Sequence, residues 1–148
     1  TRGRAGILKV YYLKNRSPDV PEEVLRMSLN EQSTHIPYTL GRLFSVLEAI
    51  QQAANPGINT TIKDKYFNSA ASIPGVIFPI LVNLAQKHLK KLRVTNKGLH
   101  IHYEKQLGEL MTIIGENYPA HQNLQQQGAF QLGYYAQTTA RYQKKEDN

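Results

Sequence analysis

The chain has 148 residues, and 18 Lys and Arg against 11 Asp and Glu give it a formal net charge of +7. It contains no cysteine, which excludes disulfide scaffolds, thiol nucleophiles and cysteine-ligated metal sites. No apolar run approaches the roughly 20 residues that cross a membrane, and no signal-peptide pattern opens the chain. We therefore expect residues 1–148 to form one cytoplasmic domain without a membrane partner. The positive balance favours an anionic partner, most often nucleic acid.

An apolar stretch and two prolines predict the first elements of the chain. Apolar residues between positions 3 and 16 are too dense for one clean face and favour a largely buried helix, with a strand as the alternative. Pro18 and Pro21 end this element, because proline lacks the backbone donor that a helix interior needs. Residues 22–27 fit a short helical turn after Pro21. The polar residues 28–36 predict a loop.

Apolar residues recur at helical spacing in the rest of the chain, and turn-forming residues separate the segments. Asn59 or Thr60 is expected to cap a short helix that ends at Phe67. The longer helices are predicted over residues 38–54, 76–93, 99–117 and 122–145. The predicted breaks are residues 55–57, 72–75, 96–98 and 118–119. No hairpin signal appears, so the predicted fold class is all-α, a bundle of four to six helices with residues 143–148 as a frayed charged tail.

No pattern of catalytic or metal-binding side chains stands out. His100 and His102 are two residues apart, and such residues point to different sides of a helix. Glu104, Glu109 and Glu116 are spread along one predicted helix, so nothing brings two carboxylates into one pocket. No glycine-rich phosphate loop is present. The sequence therefore predicts neither an enzyme nor a bound metal or cofactor. We interpret the histidines as ordinary surface or partly buried residues.

Basic residues are concentrated in two stretches without acids, residues 1–16 and residues 87–97. In the second stretch, Lys87 and Lys90 fall on one polar stripe of the predicted helix, opposite its leucines. Such residues are typical of phosphate contacts without sequence preference, and the alternative is a solvated face. The candidate nucleic-acid-binding residues are Lys87, Lys90, Lys91 and Arg93 first, then Lys63, Lys65 and Arg42, with Arg2 and Arg4 as further candidates.

Aromatic residues follow one of these basic groups directly. Lys63 and Lys65 lie near a helix N-terminus, where free amides can also hold a phosphate. Tyr66 or Phe67 could stack on an unpaired base, but we favour a position in the core. The same interpretation, packing rather than base contact, applies to Tyr134, Tyr135 and Tyr142.

Several runs of the sequence, in order along nearly the whole chain, resemble one known family. These runs are residues 37–48, 55–67, 69–72, 78–79, 84–89, 103–105, 127–128 and 132–135. They are similar to the C-terminal region of the large subunit of the type I-C CRISPR Cascade complex. In that family the same region is also made separately, by internal translation, as the small subunit.

The resemblance implies a helical bundle that packs along the crRNA-bearing backbone subunits, with the Cascade large subunit and other copies of itself as further partners. It also implies contact with the displaced non-target strand of the target DNA, since guide–target pairing reads the sequence. A separately recruited helicase–nuclease would cut the DNA, so the chain needs no active site. We therefore expect a non-enzymatic subunit that stabilises the R-loop. The alternative is a purely structural brace between protein subunits.

Overall fold

Five α-helices account for most of residues 28–147, the range that the computed structural model describes. They are α1 (Ile36–Ala54), α2 (Ile62–Ser72), α3 (Pro74–Thr95), α4 (Lys97–Ile114) and α5 (Leu124–Asp147). This range contains no strand, so the predicted all-α bundle is confirmed for it. The loop predicted over residues 28–36 covers residues 28–35, because α1 begins at Ile36 rather than at residue 38. The elements predicted between residues 3 and 27, together with Arg2 and Arg4, lie outside the described residues.

The second helix begins and ends later than predicted. Its N-cap is Thr61, rather than Asn59 or Thr60, and the Thr61 hydroxyl accepts from the Lys63 amide at 3.2 Å. The Asp64 carboxylate accepts in turn from the Thr61 amide at 2.7 Å, which completes a capping box. The helix continues to Ser72 instead of ending at Phe67, because Ala70 and Ala71 are buried in the core and extend its apolar face.

The breaks between the later helices are shorter than the sequence predicts. Only Ile73 separates α2 from α3, so α3 begins at Pro74 and Pro79 lies beyond its first turn. Only Asn96 separates α3 from α4, because its side chain accepts from the Leu99 amide at 3.1 Å and caps the new helix at once. α4 ends at Ile114 rather than at residue 117, because Gly115 adopts φ +88°, which favours glycine.

The first helix lies at the centre of the described bundle. α1 packs against each of the other four helices, and every residue from Thr39 to Ile50 is buried. The ring of Phe44 meets those of Phe67, Phe78 and Phe130 edge to face at centroid distances of 5.4, 6.4 and 5.9 Å. Such edge contacts are favourable for aromatic rings and fix one packing arrangement. The core of residues 28–147 is therefore built around α1.

Glycines allow α1 and α5 to approach most closely. A Cβ atom on Gly41 would overlap the Phe130 carbonyl of α5. A Cβ atom on Gly133 of α5 would overlap the Tyr38 carbonyl of α1. The two backbones thus touch at both positions, and no larger residue fits without a shift of one helix.

Candidate nucleic-acid interface

Four of the predicted basic residues lie together on the outer side of α3. Lys87, Lys90, Lys91 and Arg93 are all exposed, whereas Ala85, Leu89 and Leu92 of the same helix are buried. We call these four residues the α3 basic face. No acidic residue occurs between Asp64 and Glu104 in the sequence, and no acid among the described residues pairs with Lys87 or Lys90. The α3 basic face is therefore a cluster of cations in which Lys87 and Lys90 form no ion pair with a described residue.

One member of the face is anchored to the end of α1. The Lys91 ammonium donates to Asn55 Oδ1 at 3.1 Å, and the Asn55 amide donates to His88 Nδ1 at 3.3 Å. The partial negative charge at a helix C-terminus also favours a cation there. Burial, with a smaller contribution from Lys91, lowers the pKa of His88 below its ordinary value. Lys91 thus has a structural role, while Lys87 and Lys90 are free to meet an external anion.

The structure separates Lys63 from Lys65. The Lys63 ammonium is partly buried, donates to the Tyr135 hydroxyl at 2.7 Å and lies 4.8 Å from the centre of that ring. It also lies 5.3 Å from the ring centres of Phe67 and Tyr134. Lys65 is exposed instead. Of the predicted pair, Lys63 is therefore surrounded by aromatic rings, whereas Lys65 lies on the open surface.

Arg42 lies apart from the α3 basic face. It is about 18 Å from the C-terminal end of α1, the end that contacts Lys91. Its side chain is only 8% exposed, and Nε donates to Gln137 Oε1 at 2.9 Å. Burial lowers the pKa of Arg42, an effect that Tyr38, Glu31 and Glu109 oppose. Nη1 is buried without a hydrogen-bond partner. The structure does not bring this arginine together with the lysines.

A pocket between α1, α2 and α5 was not foreseen from the sequence. It encloses about 170 Å³, and we call it the α1–α2–α5 pocket. Its lining includes Glu48, Lys63, Tyr134, Tyr135, Arg141 and Tyr142. The sequence feature that could have indicated this pocket is Glu48, a charged residue among the apolar residues of α1. A charge that is buried needs polar partners, and these partners form the walls of a pocket.

The walls of this pocket are held by hydrogen bonds. The Glu48 carboxylate is 6% exposed and accepts from the hydroxyls of Tyr134 and Thr61. Burial and the nearby Glu48 carboxylate raise the pKa of Tyr134, which therefore stays protonated as a donor. The Arg141 guanidinium donates to the Ser45 carbonyl at 3.1 Å. These contacts fix an arginine and a carboxylate that no pattern in the sequence groups with Lys63.

The histidines are dispersed through the described bundle. His100 Nδ1 lies 2.9 Å from the Leu89 carbonyl oxygen and Nε2 lies 3.5 Å from Glu104 Oε1, whereas His102 is exposed. Across residues 28–147, no three His, Asp or Glu side chains are close enough together to hold a metal ion. In the same range, no helix has the length and apolar character that would let it cross a membrane.

Within the described residues, the fold and these surfaces define a class of protein, a basic all-α bundle with most of its exposed cations on one helix. The family model of the CRISPR-associated protein Cas_Csd1 matches residues 1–142, and the chain belongs to this family. This membership confirms the resemblance found in the sequence at the level of the family, and it indicates a subunit of the Cascade type. No curated protein matched the chain.

Proposed function

We propose that the chain is a non-enzymatic subunit of a type I-C Cascade complex, which stabilises the R-loop by contacting the displaced non-target DNA strand. The observation that supports this most directly is the α3 basic face. Lys87 and Lys90 are exposed on a helix whose opposite side is core, and no described acid neutralises them. Cations in this arrangement bind phosphates through charge alone, without reading bases.

The energetics of strand separation explain why a few lysines suffice. The guide–target hybrid is about as stable as the DNA duplex that it replaces, so R-loop formation is nearly balanced. Each phosphate contact releases counterions and favours the opened state. Base pairing with the guide supplies the sequence specificity, so the chain needs only backbone contacts. This division of labour fits a basic bundle in the cytoplasm that carries out no chemistry of its own.

Assembly with other subunits is supported by the first half of α3 together with Ile73, the residue before it. Ile73, Val76 and Ile80 are exposed at helical spacing on the outer surface of the bundle. An apolar row of this kind favours burial against protein. We propose that it helps the chain to pack against the crRNA-bearing backbone subunits, the large subunit or other copies of itself. The alternative function, a brace without DNA contact, would use the lysines only to meet acidic protein surface.

The test is R-loop formation by the reconstituted guide-RNA complex on a matched target. It compares the complex without the chain, with the wild-type chain and with the Lys87→Gln/Lys90→Gln variant, and assembly is followed by size and stoichiometry. Lys105→Gln, an exposed charge on α4, is the control for a general effect of charge. We expect the double variant to assemble but to form fewer R-loops. We also expect its log K to depend on log salt less steeply, by about 0.7 for each lost contact with a single strand.

Two results would contradict this proposal. An assembled double variant with wild-type R-loop formation and salt slope would show that the α3 basic face is only solvated. A double variant that fails to assemble, while Lys105→Gln assembles normally, would favour the structural brace.

A further inference from the structure

The α1–α2–α5 pocket combines cations with aromatic rings, which is the combination that single-stranded nucleic-acid sites use. Lys63 and Arg141 supply the positive charge, and Tyr135 and Tyr142 supply half-buried rings. The enclosed volume of about 170 Å³ suits a small planar group rather than a helix or a strand of protein. The chemistry of the lining therefore points to an aromatic ligand that is linked to an anion.

Both cations are held in place before any ligand arrives. Lys63 donates to the Tyr135 hydroxyl at 2.7 Å, and Arg141 Nη1 lies 3.1 Å from the Ser45 carbonyl oxygen and 3.4 Å from Ser45 Oγ. The Arg141 guanidinium also lies 5.3 Å from the centre of the Tyr142 ring. Because these side chains are already ordered, a ligand that meets them loses less binding energy to side-chain ordering.

The acidic groups of the pocket determine which part of a nucleotide fits where. Glu48 is buried and negative, so it disfavours a phosphate beside it. A carboxylate oxygen can, however, accept from the amino group of a base, as in protein contacts to cytosine. The Asp64 carboxylate already accepts from the Thr61 amide. The favoured orientation therefore places a base next to Glu48 and a phosphate next to Lys63 and Arg141.

One loop links this pocket to the α3 basic face. Asn55, at one end of the loop, accepts from Lys91 of the face. Ile58, Asn59 and Thr61, further along the same loop, line the pocket. Six residues of chain span at most about 20 Å, so the two surfaces are neighbours. A single strand that lies on the lysines is therefore within reach of the pocket.

We propose that the α1–α2–α5 pocket receives one unstacked base of the DNA strand held by the α3 basic face, with Tyr142 and Tyr135 as stacking surfaces and Lys63 and Arg141 at the adjoining phosphate. This inference rests on the proposed function and adds to it a contact with a base. It also revises the expectation that Tyr135 and Tyr142 serve only in packing. The site has no sequence preference of its own beyond a base with an amino group.

The test compares two single-stranded DNA probes with the same number of phosphates, an oligodeoxycytidylate and a fully abasic strand. The 148-residue chain is titrated with each probe at several salt concentrations. We expect the wild-type chain to bind the cytidine probe about tenfold more tightly than the abasic one, which is the size of one stacking contact. Tyr142→Leu should remove this ratio and leave the salt slope unchanged, with folding checked by circular dichroism.

Matched variants separate the two surfaces. Tyr66→Leu removes a half-buried tyrosine of α2 that does not line the pocket, and it should keep the tenfold ratio. Lys87→Gln/Lys90→Gln should lower the salt slope for both probes and also keep the ratio. Equal binding of the two probes by the wild-type chain would overturn the base pocket while leaving the proposed function in place. Absence of salt-dependent binding to either probe would overturn both.

Discussion

Among single residues, His88 shows how a local contact makes stability depend on pH. Its Nδ1 accepts from the Asn55 amide, so the neutral ring carries its proton on Nε2, which is buried without a partner. A second proton would remove the acceptor and place a charge beside the Lys91 ammonium. Burial first, and Lys91 second, lower the pKa of His88 for this reason.

We predict that His88 makes the folded chain less stable as pH falls. The unfolded chain binds a proton near pH 6.5, the ordinary value for histidine, and the folded chain binds it only at lower pH. The contribution of neutral His88 is therefore complete above the unfolded pKa and decreases below it, by at most about 1.4 kcal/mol per pH unit. Urea unfolding between pH 5 and 8 measures this slope.

His88→Gln should reduce the slope, whereas His102→Gln, at an exposed position, should not. Equal slopes in the two variants would contradict the prediction.

Between elements, the contact of α1 with α5 depends on two glycines. Gly41 and Gly133 each face a backbone carbonyl of the other helix, and a carbonyl cannot move aside as a flexible side chain can. Glycine is unfavourable inside a helix because it loses most conformational freedom on folding. The close approach of the two helices offsets that cost here. At Gly108 of α4, by contrast, an added Cβ atom would meet no neighbour.

We predict opposite effects of one substitution at these positions. Gly41→Ala and Gly133→Ala should each lower the free energy of unfolding by about 1–3 kcal/mol, because α5 must shift away from α1. Gly108→Ala should raise it by about 0.5–1 kcal/mol, since alanine is the better helix former and the site is open. Urea unfolding at pH 7 gives all three values. A stabilising effect of alanine at position 41 or 133 would show that the helices do not touch through their backbones.

For the whole molecule, local periodicity explains what the sequence could predict. The helical segments and the outer polar stripe of α3 follow from the order of apolar and polar residues within each helix. The environments of Arg42 and Lys63 depend on Gln137 and Tyr135 of α5, which are more than 70 residues away. No short-range pattern reports such a contact. The pocket was missed for the same reason, because α1, α2 and α5 form it jointly.

We predict that the described helices unfold as one cooperative unit, because α1 contacts all the others. Amides of α1 should exchange with solvent only through global unfolding, and the denaturant transition should show a single step. Phe44→Leu removes ring contacts to four other rings and should cost about 1–3 kcal/mol. Hydrogen exchange read by mass spectrometry should then show lower protection in all five helices.

Leu124→Ala, at a residue that is 84% exposed, is the control and should change stability by less than about 0.5 kcal/mol. Loss of protection confined to α1 and its nearest neighbour would instead show that the bundle unfolds in parts.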